Sequence, residues 1–258
     1  MSHHIVEAQD LNFTYPDGTE VLRGISFRIT HGESVAIVGA NGAGKSTLLL
    51  HLNGYLTATG GAVRVGDSPL LAENLKQIRR AVGLVFQDPD DQLFMPTVFD
   101  DVAFGPLNMG LPADEVRTRV KSALETVGAW HLHDRPPYRL SGGEKRSVAI
   151  ATVLSMSPDI LVMDEPSSNL DPRSRRGLIE LLKGFTHTKI IATHDLDMVM
   201  DLCHRTLVIR EGRIIADGPT WEIMSDEKLL ASSSLEKPLS LRACPACGEV
   251  PVPPQSHR

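Results

Sequence analysis

Cysteine is scarce in this chain: Cys203, Cys244 and Cys247 are the three among 258 residues. That is too few for a disulfide scaffold and agrees with a reducing compartment. Basic residues are outnumbered, with 26 Lys and Arg against 32 Asp and Glu and a formal net charge of −6. This excludes a protein whose main partner is the nucleic-acid backbone, because that binding needs clustered cations. Apolar runs of about eighteen residues or more are missing, as is a signal-peptide pattern, so the chain is expected neither to span a membrane nor to be exported by that route. The cytosol is the default compartment. With 41% hydrophobic residues, the chain can bury a sizeable core, and one large α/β domain, alone or with a subdomain, is expected.

The most informative stretch is Gly39-Ala40-Asn41-Gly42-Ala43-Gly44-Lys45-Ser46-Thr47, which fits the phosphate-loop pattern G-x-x-x-x-G-K-[ST] completely. Its glycines let the backbone turn tightly and approach an anion closely. The apolar run Ser34 to Val38 before it reads as a buried strand, and Ser46 to Leu52 after it as the start of a helix. A strand, a glycine loop and a helix N-terminus together aim unpaired N–H groups and the positive end of the helix dipole at phosphate oxygens. Lys45 adds a formal charge for the β- and γ-phosphates, and the Ser46 hydroxyl is placed to ligate magnesium.

Taken in order, residues 5–29 alternate apolar and polar positions in two runs around Pro16-Asp17-Gly18, a hairpin pattern. Tyr15 ends the first run, where a planar side chain could stack on a nucleotide base or simply pack. Strands are expected at 62–66 and 82–86, the latter ending at Gln87. Residues 88–112 are rich in Asp and Pro and poor in periodicity, so a surface excursion with short helices is expected there rather than core. Val116, Val120, Leu124 and Val127 mark a helix over 114–128. A second helix follows over 145–156, with Ser141 as N-cap and Glu144 three residues on. A buried strand at 160–163 ends in Asp164-Glu165, a helix spans 173–183, and a strand at 189–193 ends at His194. Such alternation implies a mostly parallel sheet with ligands at the strand carboxyl ends. A hairpin over 206–217 closes the ordered part, and from about Ala231 a Ser- and Pro-rich tail is expected.

Tyr15, the phosphate loop, Gln87, Leu140-Ser141-Gly142-Gly143-Glu144, the apolar run into Asp164-Glu165, Ser168-Asn169-Leu170-Asp171 and His194, in this order, resemble the motif set of an ABC-type ATPase cassette. The resemblance covers roughly residues 5–225. It implies an α/β nucleotide-binding domain over residues 1–230: a parallel-sheet phosphate-loop core, an N-terminal antiparallel β-subdomain, and a helical subdomain at about 88–157. Residues 231–258 would be the tail.

The implied cofactors are ATP and Mg²⁺, with Tyr15, Gly39, Asn41, Gly42, Gly44, Lys45, Ser46 and Thr47 on the nucleotide. Ser46, Gln87 and Asp164 would hold the magnesium. Glu165 would be the general base or water-orienting group for attack on the γ-phosphate, and His194 would contact that phosphate. Ser141, Gly142 and Gly143 would cap the nucleotide bound by a second subunit in a head-to-tail dimer, with Asp171 linking the two sites. Glu144 stands where the family more often has Gln, and Ser147 where an Arg is common.

Residues 85–94 and 101–108 are most similar to the energy-coupling-factor group, the cytoplasmic ATPases of modular micronutrient importers, and within it to the cobalt/nickel type. Implied partners are a second ATPase subunit, copy or paralogue, a transmembrane scaffold and a substrate-specific membrane subunit. The chain would sit peripherally on the cytoplasmic face of the cell membrane. Asp90 and Asp91 are expected in the groove that receives the scaffold's coupling helices. The alternative is a soluble ABC ATPase, as in iron–sulfur cluster assembly. Cys244 and Cys247 form half of a zinc-ribbon pattern, which would need His257 or a neighbouring chain to complete a four-coordinate site; an idle tail is the other reading.

Overall fold

The computed structural model describes residues 4–242; the Cys244/Cys247 pair and His257 lie outside them. Strands β1 (His4–Thr14) and β2 (Glu20–Thr30) form the expected antiparallel hairpin, in which Ile25, Phe27 and Ile29 are buried between exposed Ser26 and Arg28. Strand β3 (Ser34–Val38) is buried at every position and runs into the glycine loop and α1 (Lys45–Leu52). Strands β4 (Gly60–Val65) and β5 (Ser68–Pro69) join the hairpin in a four-stranded antiparallel sheet of order β2-β1-β4-β5.

Helix α2 (Leu75–Ala81) leads into β6 (Val82–Val85), after which α3 (Val98–Asn108), α4 (Ala113–Thr126) and α5 (Gly142–Leu154) form a helical layer. Then come β7 (Ile160–Asp164), α6 (Pro172–Gly184), β8 (Thr188–Ala192), α7 (Leu196–Leu202), β9 (Arg205–Arg210), β10 (Arg213–Pro219), α8 (Thr220–Ser225) and α9 (Glu227–Ser232).

The second sheet has the order β10-β9-β3-β8-β7-β6 and is parallel except for β10. Its strands read as continuous apolar runs because both faces are covered. Val35 and Ile37 of β3 enter one core with Leu11 and Ile25 of the hairpin and Leu48 and Leu52 of α1, while Ala36 and Val38 enter another with Val148, Met163 and Met198. The strand order sets the carboxyl ends of β3, β8, β7 and β6 side by side, and with them the glycine loop, His194, Asp164-Glu165 and Gln87.

Two expectations need correction. Residues 98–108 are not a surface excursion: α3 has eleven residues and buries Val98, Val102, Ala103 and Pro106. The aspartates that read as surface lie in its first turn, where the Thr97 hydroxyl accepts from the Asp100 N–H and the helix dipole favours carboxylates. Pro106 cannot donate to the Val102 carbonyl, and the Ser155 hydroxyl of the α5 C-terminus does so instead at 2.8 Å.

The expected tail also begins too early. Ser233 and Leu241 are buried, Leu235 packs on the core, and the Asp197 carboxylate accepts from the Leu239 and Ser240 N–H groups. Leucines set among serines and prolines reach the core, which composition cannot reveal. Ending the chain at Leu230 should therefore cost at least about 1.5–3 kcal/mol, the worth of one buried leucine, measured as a lower midpoint in urea. An unchanged midpoint would show that the docked segment contributes nothing.

Candidate functional site

The phosphate-loop glycines are required by geometry. Gly42 and Gly44 have φ of 77° and 106°, a region side chains disfavour, and a Cβ on Gly39 would stand 2.2 Å from the Ile209 carbonyl oxygen. Gly44 ends the loop as the α1 N-cap with no side-chain cap, so the first-turn N–H groups face the cavity. The Lys45 ammonium is buried and donates to the Gly39 and Ala40 carbonyls at 2.9 and 3.2 Å, which folds the loop around its own charge.

A cavity of about 980 Å³ opens here, lined by Gly39 to Gly42, Gly44 to Thr47, Gln87, Glu165 and His194. Thr19, Val21, Ser234 and Leu235 complete its wall; none of these four carries a motif by which sequence could single it out.

Asp164 ends β7 beneath the loop, beside the Ser46 side chain. Burial lifts its carboxyl above the ordinary range and the nearby Glu165 adds to this, while Ser46, Lys45 and Arg146 oppose the rise. Its Oδ1 is buried without a partner. An orphaned carboxylate oxygen beside a serine hydroxyl fits a hard divalent cation. Among the described residues no cluster of three or more His, Cys, Asp or Glu could hold a metal alone, so a cation here would share its shell with phosphate and water.

Glu165 has φ of 45°, a left-handed conformation rare for a side chain of this kind and typical of over-determined functional positions. It is 6% exposed, and its N–H bonds the Ala192 carbonyl of β8. Its Oε2 accepts from the Thr193 hydroxyl at 3.0 Å and the His194 N–H at 3.2 Å and lies 2.8 Å from His194 Nδ1. Thr193 is a contact that sequence reading missed.

Tyr15 does not line the cavity wall. It packs edge-on against Phe13, and its hydroxyl is 3.2 Å from the Thr47 hydroxyl.

Ser141 and Gly143 are away from this cavity and line another of about 930 Å³ together with Asp171 and Ser174. The capping box at α5 is present. Glu144 accepts from the Ser141 N–H and hydroxyl, which hold its carboxyl below the ordinary value. Asp171 caps α6, accepting from the Arg173 and Ser174 N–H groups and the Ser174 hydroxyl, so its carboxylate already has a local duty.

A third cavity, of about 710 Å³, lies between α2, α3 and α5 and is flanked by exposed Phe94 and Phe104, whose rings meet edge to face. Asp90 and Asp91 are not among the residues lining it. They sit on a 3₁₀ turn where Asp90 pairs with Lys145 at 2.6 Å. The carboxylate that does line it is Asp101: Oδ1 accepts from the Phe94 and Met95 N–H groups, and Oδ2 is buried without a partner.

The ABC transporter family model matches residues 22–168. The chain is 70% identical over 248 residues to a Geobacter sulfurreducens protein named for an ABC transporter ATP-binding role, covering 96% of this chain and all of that one. It is 48% identical to the energy-coupling factor transporter ATP-binding protein EcfA of Methanocaldococcus jannaschii, covering 91% and 86%. Among solved structures it resembles cbiO1 of Clostridium perfringens, part of the cbiONQ ABC transporter complex, at 42% identity and a TM-score of 0.79, covering 90% and 94%.

Proposed function

The chain belongs to the ABC transporter family as an ATP-hydrolysing subunit of the energy-coupling-factor type, and from that premise we propose that it powers import of cobalt or nickel ions. The observation that carries the catalytic part is the convergence of Lys45, Gln87, Glu165 and His194 on one cavity at adjacent strand ends. The metal part rests on residues 85–94 and 101–108, which are similar to the cobalt/nickel type.

In this reading the loop N–H groups and Lys45 hold the β- and γ-phosphates. Magnesium, when bound, would neutralise phosphate charge, held by Ser46, Asp164 and the Gln87 side chain. Glu165 is anchored through Oε2, and among the described residues no hydrogen bond goes to Oε1, the oxygen left to orient a water and take its proton. His194, with its ring largely exposed, meets the γ-phosphate and is aligned by Glu165.

Ser141, Gly142 and Gly143 stand apart from their own phosphate loop, which supports their capping of nucleotide on a second subunit, copy or paralogue, arranged head to tail. Asp171 lies on the same face. Among the described residues no helix is long and apolar enough to cross a membrane. In this reading the chain docks on the cytoplasmic face, against a transmembrane scaffold that works with a substrate-specific subunit, and the net charge of −6 argues against nucleic acid as its main partner.

Asp101, rather than Asp90 or Asp91, lines the aromatic-rimmed cavity, and its buried, unpartnered Oδ2 is what an arginine of a coupling helix entering that cavity would meet. Asp101→Asn should therefore abolish copurification with the scaffold and metal uptake in cells, while ATP hydrolysis by the isolated subunit persists. Burial raises the Asp101 carboxyl above its ordinary value. The folded chain thus holds that proton more tightly than the unfolded one, and stability is lost as pH rises from the unfolded value through the raised folded one. The variant should lose this dependence and be at least as stable as the parent at neutral pH. Tagged protein, the membrane proteins that copurify with it, and the metal they retain test the proposal. A complex carrying neither cobalt nor nickel, with uptake of both unaffected by deletion, would refute the substrate.

A further inference from the structure

Segment 86–92 is fastened to one face of α5 by side chains that do not line the nucleotide cavity. Arg146, only 3% exposed, donates Nη1 to the Phe86 carbonyl at 2.8 Å and Nη2 to the Gln87 carbonyl at 2.6 Å. Gln92 accepts from the Phe86 N–H at 3.1 Å and donates to the Ala149 carbonyl at 2.8 Å and the Thr152 hydroxyl at 2.7 Å. Lys145 pairs with Asp90. Positions 145/146, 149 and 152 follow the spacing of a single helix face. A guanidinium in the interior carries a desolvation cost that a neutral side chain would not, and its planar fork is what can grip two successive carbonyls.

We propose that Arg146 is a positioning residue that locks the backbone of Phe86 and Gln87 to the helix that begins at Ser141, so that Gln87 and the Ser141–Gly143 turn move as one body. The inference rests on the functional reading above. Its consequence is mechanical. The Gln87 side chain lines the nucleotide cavity, while Phe86, Gln92, Thr152, Val153 and Met156 line the groove for the scaffold. Arg146 therefore ties the backbone of the residue that meets nucleotide to the helix that meets the membrane partner. The pivot between the sheet and the helical layer then falls before Phe86, where β6 leaves the sheet, rather than at Gln87.

The test uses the full chain with Arg146→Gln and Arg146→Lys. Steady-state hydrolysis of Mg-ATP is measured together with equilibrium binding of mant-ATP and amide hydrogen exchange across residues 86–93. For Arg146→Gln, kcat should fall about tenfold or more, with KM and mant-ATP affinity within about twofold of the parent. Exchange at the Phe86 and Gln92 amides should quicken about tenfold. Arg146→Lys, a point donor without the fork, should recover part of kcat and part of the protection.

An unchanged kcat would overturn the proposal, and so would a loss of kcat matched by equal losses of nucleotide affinity and melting temperature, which marks a merely structural residue. If Arg146→Gln does not fold, Gln92→Leu, which cuts the neighbouring bridge, is held to the same split of kcat from affinity. Normal hydrolysis by Glu165→Gln would overturn the site assignment instead, so the two failures are told apart.

Discussion

Glu165→Gln should lower ATP turnover by about 10²–10⁴-fold, the usual worth of a positioned general base, with ATP affinity unchanged. The substitution is close to isosteric, and an amide oxygen in the place of Oε2 still accepts from the Thr193 hydroxyl and the His194 N–H. The left-handed turn at φ 45° and the N–H bond to Ala192 are backbone features that survive it. What is lost is the capacity to take a proton from water. ATP that binds and is not hydrolysed should hold two subunits together, so light scattering with ATP and magnesium should show a dimer that the parent forms only transiently. Near-normal hydrolysis would sink the assignment of Glu165.

Lys45→Ala should fail differently, at binding rather than at turnover. The buried ammonium bonds the Gly39 and Ala40 carbonyls, so it both shapes the loop and supplies the charge nearest the phosphates. A charge-assisted hydrogen bond is worth about 1.5–3 kcal/mol, so losing one to a phosphate weakens ATP binding by about 10–100-fold. The freed carbonyls also lose the donor that keeps the loop open for an anion. Titration with mant-ATP would separate the two variants: affinity retained for Glu165→Gln, lost for Lys45→Ala. Equal affinities would contradict the division of roles between the loop and the β7 terminus.

Much of the site was legible because its parts are short and consecutive. The phosphate loop declares itself through a glycine pattern contained within nine consecutive residues. The Ser141/Glu144 capping box is a local exchange of hydrogen bonds, and the buried strands appear as apolar runs because both faces of the sheet are covered. The reading failed where local chemistry had two uses. Asp100 and Asp101 made their segment read as surface, although they begin a helix that packs into the core. The serines after Ala231 hid leucines that reach the core.

Sequence alone determined the phosphate loop, the acidic pair after β7, the capped helix at Ser141 and the alternation of strands and helices, since each rests on contacts within a few residues of chain. Tertiary structure alone decided which side chains meet across long separations: Thr193 on Glu165, Arg146 on the carbonyls of Phe86 and Gln87, Gln92 on α5, and Leu241 in the core. It also decided that Asp101, and not Asp90, lines the cavity between α2, α3 and α5. These pairings follow from the strand order β3-β8-β7-β6 and from how the helical layer settles on it. Closing such loops depends on the burial of the whole core, which no short stretch of sequence encodes.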